Sequence, residues 1–337
     1  MDPRLRGALD RWGCANPRPL SGDAGARKYF RVDHPQLGSA LVALYPQLES
    51  GQDADAYFEF RALHAYLDPV MRVPTIIQAW DEDRAILLED LGETTLEKRL
   101  IAHPEEEIQW AEQAGWLLST WLGPLTLGGP THAFFMNRSC GLPELQMEWT
   151  SCRVHFFNEF LQKDPPRWLD RLMDDLHESL VPRARFLTHG EFHVRNLMVQ
   201  GHHLVTLDFQ GARCGAATYD LASILFDGYW DWSKEASQHL LARVRAEMGW
   251  SDSDLWEELS LCAMQRNLKS LGSFGHQIVH CRKSHFAPAI PRTLRHLRGH
   301  FQRLRHGEGV LATEHWLRLS EKRLWKHGGD EEAEALG

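Results

Sequence analysis

Between residues 189 and 208 the chain carries a histidine, an acid, an asparagine and a second acid at a spacing suited to handling phosphate. The order is His189-x-Glu191-x-x-x-x-Asn196, with Asp208 twelve residues further on. Transfer of a phosphoryl group from ATP needs such a set: a carboxylate to orient and deprotonate an acceptor hydroxyl, and hard oxygen ligands for magnesium at the phosphates. Glu191 suits the first role, Asn196 and Asp208 the second, and Arg195 could neutralise charge developing near the transferred group. Each residue also has a commonplace role: Asn196 closing a turn, Asp208 capping one, His189 hydrogen-bonding in a core. Their joint occurrence, with Asp208-Phe209 following the strand-like run Leu204-Val205-Thr206-Leu207, favours the chemistry.

Two sets of elements must position these groups. In the first part, Lys28 to Val32 and Ala40 to Tyr45 read as strands joined by a turn over Asp33 to Ser39. Ala54 to Leu67 carries Ala56, Phe60, Leu63 and Leu67 on one helical face, with Glu59 among them. Val73 to Trp80 and Arg84 to Glu89 are two further strands, separated by the acidic turn Asp81-Glu82-Asp83. Upstream, Ser21 to Ala26 could turn tightly and offer N–H groups to phosphate, with Arg27 and Lys28 nearby, although glycines three apart also serve ordinary hairpins. From Thr95 the pattern becomes helical, through Glu97 to Ile101, Glu105 to Leu122, Leu142 to Leu161 and Pro166 to Leu180. Asn196 to Val199 and Leu204 to Leu207 form a hairpin embedded among those helices. The expectation is an α+β chain with a small β-rich nucleotide-binding lobe over 1–92 and a larger, mostly helical catalytic and substrate-binding lobe over 93–337.

The 189–208 block resembles the catalytic and magnesium motifs of aminoglycoside phosphotransferases and choline kinases, distant relatives of protein kinases. Ile86-Leu87-Leu88-Glu89-Asp90-Leu91-Gly92 is similar to the family's hinge, where backbone groups around Glu89, Asp90 and Leu91 would meet adenine. Thr218-Tyr219-Asp220-Leu221-Ala222 resembles the following segment, whose acid supports the catalytic loop. Within the family the likeness is strongest to bacterial N-acetylmuramate/N-acetylglucosamine anomeric kinases of cell-wall recycling. Ala26 to Val32, Pro143 to Trp149 and Met264 to Phe274 carry it, and it runs from about Leu20 to Arg292. The resemblance implies a protein-kinase-like two-lobed fold, ATP and Mg2+ as cofactors, and a cytoplasmic kinase phosphorylating the anomeric hydroxyl of an amino sugar.

Two departures qualify it. Glu191 stands where the family has aspartate, and a displacement near 1 Å can cost about a hundredfold in rate. Its intrinsic acidity is close to that of aspartate, so adapted catalysis and a nucleotide-binding pseudokinase both stay open. The strand Leu41 to Tyr45 also lacks the phosphate-binding lysine, as the anomeric kinases tend to. Lys28 or Arg31 is expected to supply that charge, paired with Glu59.

A sugar needs flat apolar faces and a few polar partners. Trp149, Tyr229, Trp230 and Trp232 are candidates for the wall, with Glu148, Asp227, Arg266 and Lys269 as partners. Core packing is the competing role for each aromatic residue. Arg266 and Lys269, three apart on a helix face, would suit a carboxylated sugar, or would form ion pairs. An aminoglycoside or amino alcohol is the alternative acceptor.

With 337 residues, 43% hydrophobic and 25% charged, the chain suits a folded protein of two domains. A net charge of -9 argues against nucleic-acid partners, and no run of about 18 apolar residues suggests a membrane span. The N-terminus lacks the apolar core of a secretory signal, so the cytoplasm is the expected location. Six cysteines are scattered singly, with no CxxC pair and no compact Cys/His cluster, so structural zinc is not expected. Of nineteen histidines, runs such as His202-His203 and His276 to His280 lack a metal-site partner, and most read as surface or packing residues.

Overall fold

A computed structural model describes residues 2–20, 27–47, 56–69, 71–122 and 140–334. It resolves into two compact units, one of Met1–Thr95 with Leu197–Gln210, the other of Leu96–Asn196 with Gly211–Gly337. The expected phosphate-binding turn over Ser21 to Ala26 lies outside the described residues.

The first unit is built on an antiparallel sheet in the order β1-β2-β3-β5-β4, from β1 (Ala15–Leu20), β2 (Lys28–His34), β3 (Gly38–Leu44), β4 (Ile76–Trp80) and β5 (Ala85–Glu89). Helix α1 (Pro3–Trp12) starts on the Asp2 carboxylate, which accepts from Arg4 N at 3.0 Å, with proline in its first turn. It lays Leu5, Ala8, Leu9 and Trp12 on Val32, Val42, Leu44 and Leu87. Helix α2 (Ala56–Leu67) buries Tyr57, Phe60, Leu63 and Leu67. The strands and α2 match the sequence pattern, whereas α1 and β1 do not announce themselves. Pro17 and Pro19 break the strand pattern of β1, as is tolerated on an edge.

The hairpin Leu197–Gln200 and His203–Thr206 belongs to this unit, not to the helices that surround it in sequence. Met198, Val205 and Leu207 cluster with Leu91. Val199 N donates to Thr94 O at 3.0 Å, and Gln200 Nε2 donates to Leu91 O at 2.6 Å.

The second unit comprises α3 (Leu96–Ala102), α4 (Glu107–Leu122), α5 (Leu142–Ser151), α6 (Arg167–Leu180), α7 (Tyr219–Leu225), α8 (Lys234–Met248), α9 (Asp252–Val279), α10 (Ala289–Arg303) and α11 (Gly307–Glu334), with a short strand pair of Phe186–Thr188 and Arg213–Gly215. Helix α9 is buried nearly all round, as befits a central helix. The helix expected over 142–161 divides: α5 passes at Cys152 into a π-helix, Cys152–Leu161. It runs against α9 where α9 has no side chains. A Cβ on Gly272 would come 2.8 Å from Cys152 Cα, and one on Gly275 would come 2.5 Å from His155 O.

Candidate active site

The loop from His189 to Asn196 leaves the strand Phe186–Thr188 and is held by two buried carboxylates. Asp220, at the start of α7, accepts from His189 N at 2.6 Å and Gly190 N at 3.0 Å. Asp227 accepts from Val194 N at 2.9 Å and Tyr229 N at 2.8 Å. Burial raises both acids against the lowering effect of these N–H groups, and Asp227 is pushed up to about 7. Gly190 turns the chain at φ 85°, and His189 Nδ1 accepts the Glu191 N–H at 3.2 Å. His189 itself is fully buried, with Trp121 edge-on at 5.2 Å. It is a brace of the turn.

Glu191 faces two cations of α9. Arg266 Nη2 lies 2.6 Å from Oε2 and Lys269 Nζ lies 2.7 Å from Oε1. Burial opposes its ionisation, but Arg266 and Lys269 outweigh burial and hold the carboxyl well below the usual range. The cluster continues to Glu148 on α5, which lies 3.3 Å from Lys269 Nζ and accepts from Arg213 at 2.8 Å and Gln265 at 3.0 Å. Arg266 also donates to Ser223 Oγ at 2.8 Å. His193, 3.7 Å from Glu191 Oε2, is pushed down to about 3 by burial, so its ring is neutral. Its Nδ1 is buried with no hydrogen-bond partner among the described residues.

Beside Glu191 lies a recess of about 50 Å³ lined by Ser223, Asp227, Tyr229, Ser270, Ser273 and Phe274, among others. Hydroxyls and two aromatic rings suit a small polar substituent. Arg195 forms a two-bond ion pair with Glu97 at 2.8 and 2.9 Å and lies 3.8 Å above the Tyr229 ring. Its guanidinium is therefore committed to holding Tyr229 and α3 to the loop, and the expected role at the transferred group is not what its contacts indicate. Asn196 Nδ2 donates to Glu191 O at 3.0 Å, which leaves Oδ1 as an open oxygen among the described residues.

Trp149 does not line the recess. It is buried in the core, edge-on to Phe157 at 6.1 Å, with its indole N–H on Asp170 at 3.2 Å. Trp230 and Trp232 likewise spend their N–H groups on Glu107 and the Ile224 carbonyl. Of the eight residues expected around the acceptor, Asp227, Tyr229 and Arg266 line the recess and Lys269 reaches Glu191.

In the first unit, Asp208 stands at φ 57°, a left-handed conformation uncommon for aspartate. Phe209, buried, stacks on Phe60 at 4.9 Å and fixes the turn. Gln210 Nε2 donates to Asp208 Oδ1, and Arg27 Nη2 lies 3.5 Å from the same atom, so Oδ2 is open among the described residues. Arg31 is instead committed to Asp90, at 2.8 and 3.1 Å, and to Glu93 at 2.5 Å. Lys28 is exposed at the start of β2, and Glu59 is half-buried on α2. The basic residue that reaches the magnesium-motif acid is thus Arg27, not Lys28 or Arg31. Glu89 accepts from Arg72 at 2.5 Å, and its N–H donates to Thr75 O at 3.0 Å. Asp90 also accepts from Ser39 at 2.5 Å and Gly92 N at 2.9 Å, shaping the segment so that the Leu91 N–H has no partner among the described residues.

Arg27, Glu148 and Ser223, which sequence reasoning undervalued or missed, act through partners far away in the chain. Glu148 meets Gln265 across 117 positions, and no local spacing reveals such a pair.

Comparison with known proteins places these observations. The phosphotransferase enzyme family model matches residues 17–262. An N-acetylmuramate/N-acetylglucosamine kinase of Neisseria meningitidis serogroup B is 29% identical over 82% of this chain and 83% of its own length. The protein of the same name from Pseudomonas aeruginosa is 27% identical over 85% of each chain. Among solved structures, a choline kinase from Cryptosporidium parvum matches with TM-score 0.58 at 9% identity, covering 93% of this chain and 98% of that one. The ADP-bound aminoglycoside phosphotransferase APH(2'')-Ib matches with TM-score 0.54 at 13% identity, covering 88% and 98%. The fold is the two-lobed, protein-kinase-like α+β fold. No helix among the described residues is long and apolar enough to cross a membrane.

Proposed function

Because the chain belongs to the phosphotransferase enzyme family and is a kinase, we propose that it transfers the γ-phosphoryl group of ATP to the anomeric hydroxyl of an N-acetylated amino sugar, N-acetylmuramate or N-acetylglucosamine. The observation that carries this reading is the Glu191 carboxylate, held ionised by Arg266 and Lys269 beside a recess of serine hydroxyls and aromatic rings. A carboxylate so stabilised is a weak base. The anomeric hydroxyl is more acidic than an ordinary alcohol because the ring oxygen on the same carbon withdraws electron density, so it needs less from its base. A recess lined by serine hydroxyls and two aromatic rings suits a polar substituent such as an acetamido group.

In this reading Glu191 orients the hydroxyl and accepts its proton as the new P–O bond forms and ADP leaves. Asp220 and Asp227 hold the loop so that little reorganisation is needed. Arg195 is a positioning residue. On the nucleotide side, the Leu91 N–H is a donor for adenine, and Arg27 supplies the charge of the missing strand lysine. Magnesium fits the donors present, since Asn196 Oδ1 and Asp208 Oδ2 are both hard oxygens. When bound, magnesium neutralises phosphate charge.

A second reading is favoured by the same ion pairs. With both Glu191 oxygens engaged by cations, the chain would bind nucleotide and transfer nothing. ATP consumption with N-acetylglucosamine, N-acetylmuramate, their 1-O-methyl glycosides, choline and an aminoglycoside separates the readings. Turnover with the free sugars alone supports the proposal; turnover with the methyl glycosides removes the anomeric assignment. Inert wild type with an active Glu191→Asp variant would establish the pseudokinase.

A further inference from the structure

His276 and His280, which looked unpartnered in sequence, meet His155 and Glu159 of the π-helix. His155 Nδ1 lies 2.7 Å and His280 Nε2 lies 2.8 Å from the same oxygen, Glu159 Oε2. The ring centroids of His155, His276 and His280 are 4.7, 5.0 and 5.5 Å apart, and one ligand nitrogen from each lies within 4.8 Å of the others. His276 Nδ1 is buried without a hydrogen-bond partner among the described residues. We propose that His155, His276 and His280, two of them oriented by Glu159, form a divalent transition-metal site, filled by zinc, that cross-links the π-helix to the end of α9.

The geometry follows from the helices. His276 is in the last turn of α9 and His280, four residues on, caps its end, while His155 and Glu159 are four apart on the facing segment, so each pair projects from one face. The missing side chains of Gly272 and Gly275 let the two backbones approach closely enough for the pairs to meet. Three imidazoles, with water at the fourth position, are a donor set for zinc and its neighbours; magnesium and calcium take oxygen. Zinc–nitrogen bonds of about 2.0–2.1 Å in a tetrahedron require donors roughly 3.4 Å apart. Binding therefore requires nitrogens now within 4.8 Å of one another to draw together to that separation.

The site shares no residue with the phosphotransfer machinery but braces it. His280 lies eleven residues beyond Lys269 on the same helical axis, about three turns. The π-helix is continuous with α5, which carries Glu148. A metal there would clamp the two helices that supply the charges around Glu191.

The test is titration of chelator-treated full-length protein with Zn2+ in the absence of nucleotide, read by calorimetry and thermal melting. Co2+ serves as a visible-absorption probe of tetrahedral coordination. One zinc per chain is expected, with a melting rise of roughly 5 °C at a hundredfold excess over Kd and tetrahedral cobalt bands. His280→Gln, at a half-exposed position that tolerates substitution, and His276→Gln should each weaken binding at least a hundredfold, whereas His203→Gln should not. No saturable one-to-one binding overturns the proposal. So does binding that survives His280→Gln unchanged, because the metal would then sit elsewhere.

Discussion

Arg266 Nη2 lies 2.6 Å from Glu191 Oε2, so the acid of the catalytic loop carries its own counter-ion, 75 residues away in sequence. Arg266 is buried, and removing one partner of such a pair leaves a poorly compensated charge. Lys269 still holds the other oxygen, so Arg266→Met should cost about 3 kcal/mol, the low end for a broken buried pair. Urea denaturation measures this. The pH dependence also has a definite sign. The folded-state value of Glu191 is depressed, so its contribution to stability is present above the ordinary carboxyl value and lost as pH falls through the depressed one. Arg266→Met raises that value and should begin to lose stability at a higher pH than wild type.

If the proposed mechanism holds, Glu191→Ala removes the group that orients and deprotonates the acceptor. The expected loss in kcat is about 10²–10⁴-fold. Nucleotide binding, followed by thermal shift with ATP·Mg²⁺, should change less than twofold. A variant that keeps its turnover would assign the proton transfer to another group.

Asp227 titrates in the opposite sense. Burial pushes it up to about 7. Its stabilising contribution is therefore complete below the ordinary value near 3.8 and disappears as pH rises through about 7, where the buried carboxyl must ionise. Asp227→Asn removes that titration, though it also weakens the two N–H contacts of the original carboxylate. The melting difference between variant and wild type should thus be more favourable to the variant at pH 8 than at pH 5. Equal differences at both pH values would show that Asp227 does not titrate there.

What the sequence reveals and conceals follows from distance along the chain. The strands β2 to β5 and helix α2 carry their own periodicity, and Glu191, Asn196 and Asp208 their own spacing, because each signal is local. Strand β1 hides behind its prolines. The π-helix is invisible because the glycines that draw it onto α9 lie more than a hundred residues downstream. The commitment of Arg195 to Glu97, and of Trp149 to the core, depends on residues 98 and 21 positions away. Function-bearing residue types were legible, and their occupants were not.

The cation that serves Asp208 is testable directly. Arg27 lies 3.5 Å from its carboxylate, whereas Lys28 points to exposed surface. Arg27→Ala should raise the KM for ATP at least tenfold, a loss of about 1.4 kcal/mol, while Lys28→Ala should leave it within twofold. The reverse ranking would return the phosphate-binding role to Lys28.

The contact between α9 and the π-helix gives the sharpest packing test. In most helix interiors, glycine to alanine gains up to about 1 kcal/mol from helix propensity. Gly299, inside α10, has nothing within 4 Å of an added Cβ, so Gly299→Ala should show that gain. At Gly275 the same Cβ would meet His155 O at 2.5 Å and His155 C at 2.7 Å, backbone atoms that cannot step aside without moving the π-helix. Overpacking of this kind costs roughly 1–3 kcal/mol. The propensity gain is common to both variants, so Gly275→Ala should be the less stable of the two by about 1–3 kcal/mol in urea denaturation, the strain alone. Equal stability of the two would mean that the π-helix is free to move off α9, and the close approach that brings His155 to His276 would lose its structural cause.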